Sequence, residues 1–85
     1  MTWVTLPRFA AAIALNAEGD HHAAAKAWRK LIKERPERPS PYHNLAVVLD
    51  RADRVAEAAS FYLKAMERYE DGTPEWARAA AEAFK

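Results

Sequence analysis

A chain of 85 residues has room for one small domain, and about 60% of its unfolded surface is buried on folding. Its formal net charge of +1, spread over interleaved acids and bases, gives no electrostatic case for a nucleic-acid or membrane partner. The absence of cysteine excludes disulfides, thiol catalysis and thiolate metal sites, while 51% hydrophobic residues, many of them alanine, favour a folded helical chain.

The first helix is expected over about 6–18, with Thr5 as N-cap, Pro7 in the tolerated first turn and Gly19 turning the chain back. Phe9, Ala12, Ile13 and Leu15 are its inward positions. Its apolar stretch has one preceding charge, Arg8, and is broken by Asn16, so it reads as a repeat helix rather than a signal peptide. No stretch approaches the roughly 20 apolar residues that span a bilayer, and the expected location is cytoplasmic. A second helix over 21–35 is capped by Asp20 and ended by Pro36, with Ala24, Trp28, Leu31 and Ile32 forming an apolar stripe. Residues 36–41, with three prolines, form a tight turn.

The third helix opens with Ser40 as N-cap and Pro41 at its first position, buries Tyr42, Leu45, Ala46 and Leu49, and stops near Ala52. Asp53 then takes the left-handed turn position held by glycine in the first hairpin. A fourth helix over 55–69 is apolar at Ala58, Phe61, Tyr62, Ala65, Met66 and Tyr69, and Gly72 closes it. Thr73 and Pro74 start a fifth helix that turns Trp76, Ala80 and Ala83 inward and keeps Glu75, Arg78 and Glu82 elsewhere.

Superposed on these elements is an internal repeat. Ala12, Leu15, Ala24, Ala25, Trp28 and Lys30 return as Ala46, Leu49, Ala58, Ala59, Tyr62 and Lys64, and Tyr42 and Ala46 return as Trp76 and Ala80. A fixed period of about 34 residues, filled by two helical patterns, marks a stacked array of helical hairpins. The whole chain, 1–85, is expected to form one domain: repeats over about 5–38 and 39–72, then a capping helix over about 73–85.

The second repeat, Tyr42, Leu45, Ala46, Leu49, Ala58, Tyr62 and Ala65, resembles the tetratricopeptide repeat. The first follows with Ala11, Ala12, Leu15, Ala24, Trp28, Leu31 and Pro36, but has Arg8 where a bulky residue belongs; Trp3 lies just outside the register. Glu70 stands where the second repeat should close with proline. The resemblance implies an all-α, right-handed superhelical array of antiparallel hairpins with five helices. It also implies a non-enzymatic adaptor that holds a peptide or protein segment in a concave groove lined by the first helices of successive repeats. The groove positions map to Phe9, Ile13 and Asn16, to His43, Asn44, Val47, Asp50 and Arg51, and to Arg78. Some relatives clamp a chaperone's terminal carboxylate with Lys, Asn, Asn, Lys and Arg; here only Asn44 and Arg78 match, and Phe9, Ile13 and Pro74 fill the other places.

Side-chain chemistry points the same way. His21 and His22 diverge by about 100° on a helix, and no metal-ligand spacing, nucleophile elbow or glycine-rich phosphate loop occurs, so neither a metal, a cofactor nor a catalytic residue is expected. Trp28, Tyr62, Tyr42 and Trp76 fall on the repeat and are read as core. Trp3, Tyr69 and Phe84 are not explained by it. They seal an open edge or form an apolar patch, and the alternative to an adaptor is a structural subunit that homo-oligomerises through its end faces.

Overall fold

A computed structural model describes residues 10–15 and 19–85, and among these the regular secondary structure is entirely helical. Residues 10–15 are helical (α1), followed by α2 (His21–Glu34), α3 (Pro39–Arg51), α4 (Val55–Arg68) and α5 (Pro74–Ala83). Packing follows chain order, α2 on α3, α3 on α4 and α4 on α5, as expected of stacked hairpins. None of these helices is long and apolar enough to cross a membrane.

The two turns inside the hairpins are built alike. Gly19 has φ 79°, and the next amide, of Asp20, donates to the Leu15 carbonyl at 3.2 Å. In the second hairpin Asp53 takes φ 65°; its own amide donates to Asp50 O at 3.0 Å and that of Arg54 to Leu49 O at 2.8 Å. This is the paired closure that ends a helix on a left-handed residue, and aspartate fills the place of glycine as the sequence predicts.

Capping agrees at α2 and α5. Asp20 Oδ1 accepts from the Ala23 amide at 3.1 Å and Thr73 Oγ1 from the Trp76 amide at 3.2 Å, each satisfying a first-turn N–H that has no helical acceptor. The start of α3 differs from expectation. Arg38, extended at φ −82° and ψ 130°, precedes the helix, which begins at Pro39, so Ser40 lies inside the first turn and is not the cap. Both Pro39 and Pro41 fit there because neither would have had an intrahelical partner for an N–H. Gly72 does not close α4 either. Tyr69 ends that helix by turning extended, φ −75° and ψ 152°, and Gly72, at φ 81°, shapes the loop into Thr73.

The core follows the repeat register. Ala24, Trp28 and Leu31 of α2 are buried, and so are Ala58, Tyr62 and Ala65, their α4 counterparts. Small residues let the helix axes approach and the aromatic between them fills the gap. Ala12 of α1 joins this cluster, and α3 supplies Leu45, Ala46, Val48 and Leu49. A second cluster joins Tyr42, Ala65 and Ala79. The sequence pattern turns Trp76, Ala80 and Ala83 inward on α5, but Ala79, the counterpart of Leu45, is the buried one. Trp76, Ala80 and Ala83 are half-buried, since α5 packs on α4 whereas the central helix α3 is covered by both α2 and α4.

Between the hairpins, the Pro36 carbonyl accepts from Tyr42 Oη and from Arg68 Nε, each at 2.8 Å. The Arg68 guanidinium lies 4.1 Å from the Tyr42 ring centre, and its Nη1 donates to Lys64 O. One side chain of α4 thereby fixes the turn before α3, giving the inter-repeat angle a polar lock as well as an apolar one.

Candidate functional site

The sequence predicts a groove along the first helices of the hairpins, and the described part of that surface is the α3–α5 face. Its floor is aromatic. The His43 ring meets Tyr62 edge-on, with centroids 5.4 Å apart and planes at 88°, and meets Tyr69 at 6.1 Å and 72°. Such edge-to-face contacts fit the ring quadrupoles. His43 Nδ1 is buried, with no hydrogen-bond partner among the described residues. Burial, and then the Arg78 charge, hold the His43 pKa below its ordinary value, with Glu82 partly offsetting them. The imidazole is thus kept neutral by its surroundings.

Charges surround this floor. The Tyr62 phenol, only 5% exposed, is pushed up to about 12 by burial first and then by Glu82 and Asp50, with Arg51 acting the other way. Burial also raises Tyr69, with Glu75 adding to it and Ser40 and Arg78 acting the other way. At the C-terminal end of the face Lys85 Nζ donates to Glu82 at 2.9 Å. Arg51 and Arg78 are exposed and ion-paired to no other described residue, so two guanidinium forks lie beside an aromatic floor.

A tetratricopeptide repeat family model matches residues 15–83. The chain belongs to the tetratricopeptide repeat family. Among curated proteins and solved structures, none matches it significantly. Tetratricopeptide repeats generally mediate protein–protein interactions and are typically non-catalytic modules. No three or more histidines and carboxylates converge as a metal site among the described residues.

Within this tetratricopeptide repeat fold the predicted groove residues have different fates. The His43 ring packs on Tyr62, Asp50 and Arg51 act on the Tyr62 phenol, and Arg78 acts on His43. Val47 is half-buried against the core. Asn44 Nδ2 donates to the Ser40 carbonyl at 3.0 Å, which commits one of its donors to α3's own first turn. Ile13 is 46% exposed on α1, and Phe9 and Asn16 lie outside the described residues.

Tyr62, Tyr69 and Glu82 are not among the residues that the sequence assigns to the groove. The register of Tyr62 with Trp28 marks it as core, and it is core, yet its hydroxyl end feels the charges of the α3–α5 face. Glu82 does leave a signal, because one repeat earlier the register holds Val48, which is buried. An acid at a position that is apolar in the preceding repeat indicates a polar surface.

Proposed function

We propose that the α3–α5 face binds a segment of another protein. The aromatic floor of His43, Tyr62 and Tyr69 would receive an apolar side chain, while Arg51 and Arg78 fork onto carboxylate or backbone oxygens and Asp50 accepts from donors. Asn44 would add its remaining donor and acceptor capacity, and Phe9, Ile13, Asn16 and Val47 would extend the groove toward the first hairpin. The observation that carries this reading is the pair of arginines with no ion-pair partner among the described residues, set around buried and half-buried aromatic rings. An apolar centre with a polar rim is the usual anatomy of a protein interface, which supports this reading. A peptide-display selection on the wild-type protein tests it. Enriched peptides should bind at least about tenfold more weakly to the Arg51→Ala, Arg78→Ala double variant, which removes two charge-assisted contacts, while its melt is nearly unchanged. Peptides that bind both proteins equally would place recognition elsewhere.

A second reading, self-association, is favoured by Phe84, 72% exposed at the end of α5 beside exposed Ala81. Light scattering over a wide concentration range separates the two. A monomer throughout removes this second reading.

A further inference from the structure

A different surface lies at the edge of the array where the turns within the hairpins meet. There the start of α2, the end of α3 and the residue before α4 enclose an open cleft of about 480 Å³, lined by His21, His22, Lys26, Arg29 and Arg54 over a floor of Ala25, Val48, Leu49 and Ala52. Among the described residues no carboxylate is part of the lining. Behind it stands Glu57, which accepts from Arg29 Nη2 through Oε2 and from Arg54 Nη2 through Oε1, each at 3.0 Å. A single negative charge is therefore shared by two guanidiniums, and Lys26 is ion-paired to no other described residue. Counted over Lys26, Arg29, Arg54 and Glu57, these described residues keep a positive excess in a protein whose total charge is only +1.

The arrangement of these donors selects the ligand. His22, Lys26 and Arg29 are spaced four and three apart on α2, one face of the helix, and their row runs about 10 Å along the axis. A row of that length is wider than one phosphate or one carboxylate. It can receive two carboxylates on alternate residues of an extended chain, which lie ~7 Å apart. The apolar floor adds a place for an aliphatic side chain between them. We propose that this cleft is a second docking site, for an extended acidic segment of a partner protein that carries an aliphatic residue among its carboxylates.

The test uses the whole chain and a fluorescein-labelled, end-blocked peptide in which glutamates alternate with serines around a central leucine. Fluorescence anisotropy should show binding that weakens as salt is raised from about 50 mM to about 500 mM, over which the Debye length shrinks several-fold. The His22→Glu, Lys26→Glu variant leaves the Arg29–Glu57–Arg54 cluster intact and should bind at least about tenfold more weakly, with Lys26→Gln intermediate. The Arg51→Ala, Arg78→Ala variant should bind as the wild type does, which keeps this site distinct from the α3–α5 face. Circular dichroism melts confirm that each variant is folded. The idea is overturned if the charge-reversed protein binds the peptide equally, if a glutamine-for-glutamate peptide binds as well, or if the Arg51→Ala, Arg78→Ala variant abolishes binding. Tighter binding of single-stranded oligonucleotide than of the peptide would overturn it in favour of a nucleic-acid occupant.

Discussion

Raising the pH should unfold this protein partly through one phenol. Tyr62 has a native pKa of about 12 against an ordinary 10.0, because ionising it would bury a charge and face Glu82 and Asp50. With the native pKa raised, the unfolded state loses its proton first. The stability Tyr62 contributes is therefore complete below about pH 10 and is lost as pH climbs to about 12. At about pH 11 the unfolded phenol is about ten-to-one deprotonated and the native one about one-to-ten. The difference is about 1.4 kcal/mol, growing to about 2.7 kcal/mol above about pH 12. Urea unfolding of the wild type and Tyr62→Phe at a series of alkaline pH values isolates this share, since other groups titrate in both proteins. The gap in unfolding free energy should close or invert by about 1.4 kcal/mol between about pH 9 and about pH 11. Tyrosinate absorbance should show one late-titrating phenol that the variant lacks. Parallel pH profiles for the two proteins would refute the argument that Tyr62 is both buried and acid-facing.

On the acid side His43 also destabilises the fold, for a different reason. Its native pKa lies below 6.5, so below neutrality the unfolded chain takes up the proton first, and stability should fall as pH drops through about 6.5; His43→Phe should flatten that slope in urea titrations. Ala46 is completely buried in the cluster that holds Trp28 and Tyr62, and Ala46→Leu should cost about 1 to 3 kcal/mol by overpacking, read as a fall in melting temperature; an unchanged melt counts against its interhelical place. Asp53, at φ 65°, should be improved by glycine: Asp53→Gly is expected to gain about 0.5 to 1 kcal/mol in urea unfolding, and a loss would mean the carboxylate does more than tolerate the turn.

Local chemistry is legible from the residues alone. The turns at Gly19 and Asp53 and the caps at Asp20 and Thr73 rest on contacts within a few residues of chain, where steric rules and first-turn amides leave few choices. The buried triads Ala24, Trp28, Leu31 and Ala58, Tyr62, Ala65 are visible for a related reason: each stacked hairpin solves the same packing problem, and the solution recurs in the next hairpin. At α3 the same local logic is ambiguous. Two prolines each fit the first turn, so propensity does not decide between Arg38 and Ser40 as the preceding residue.

What joins different helices needs the tertiary structure. Nothing local says that Arg68 reaches back to the Pro36 carbonyl, or that one Glu57 is shared by Arg29 and Arg54. The site divides in the same way. His43, Asp50, Arg51 and Arg78 can be selected one helix at a time, but Tyr62 has two roles, with its ring in the core and its hydroxyl beside the charges of α3 and α5. Periodicity records which face of a helix is turned inward. Long side chains end well away from their backbone, so the company their polar ends keep is fixed by how neighbouring helices are placed.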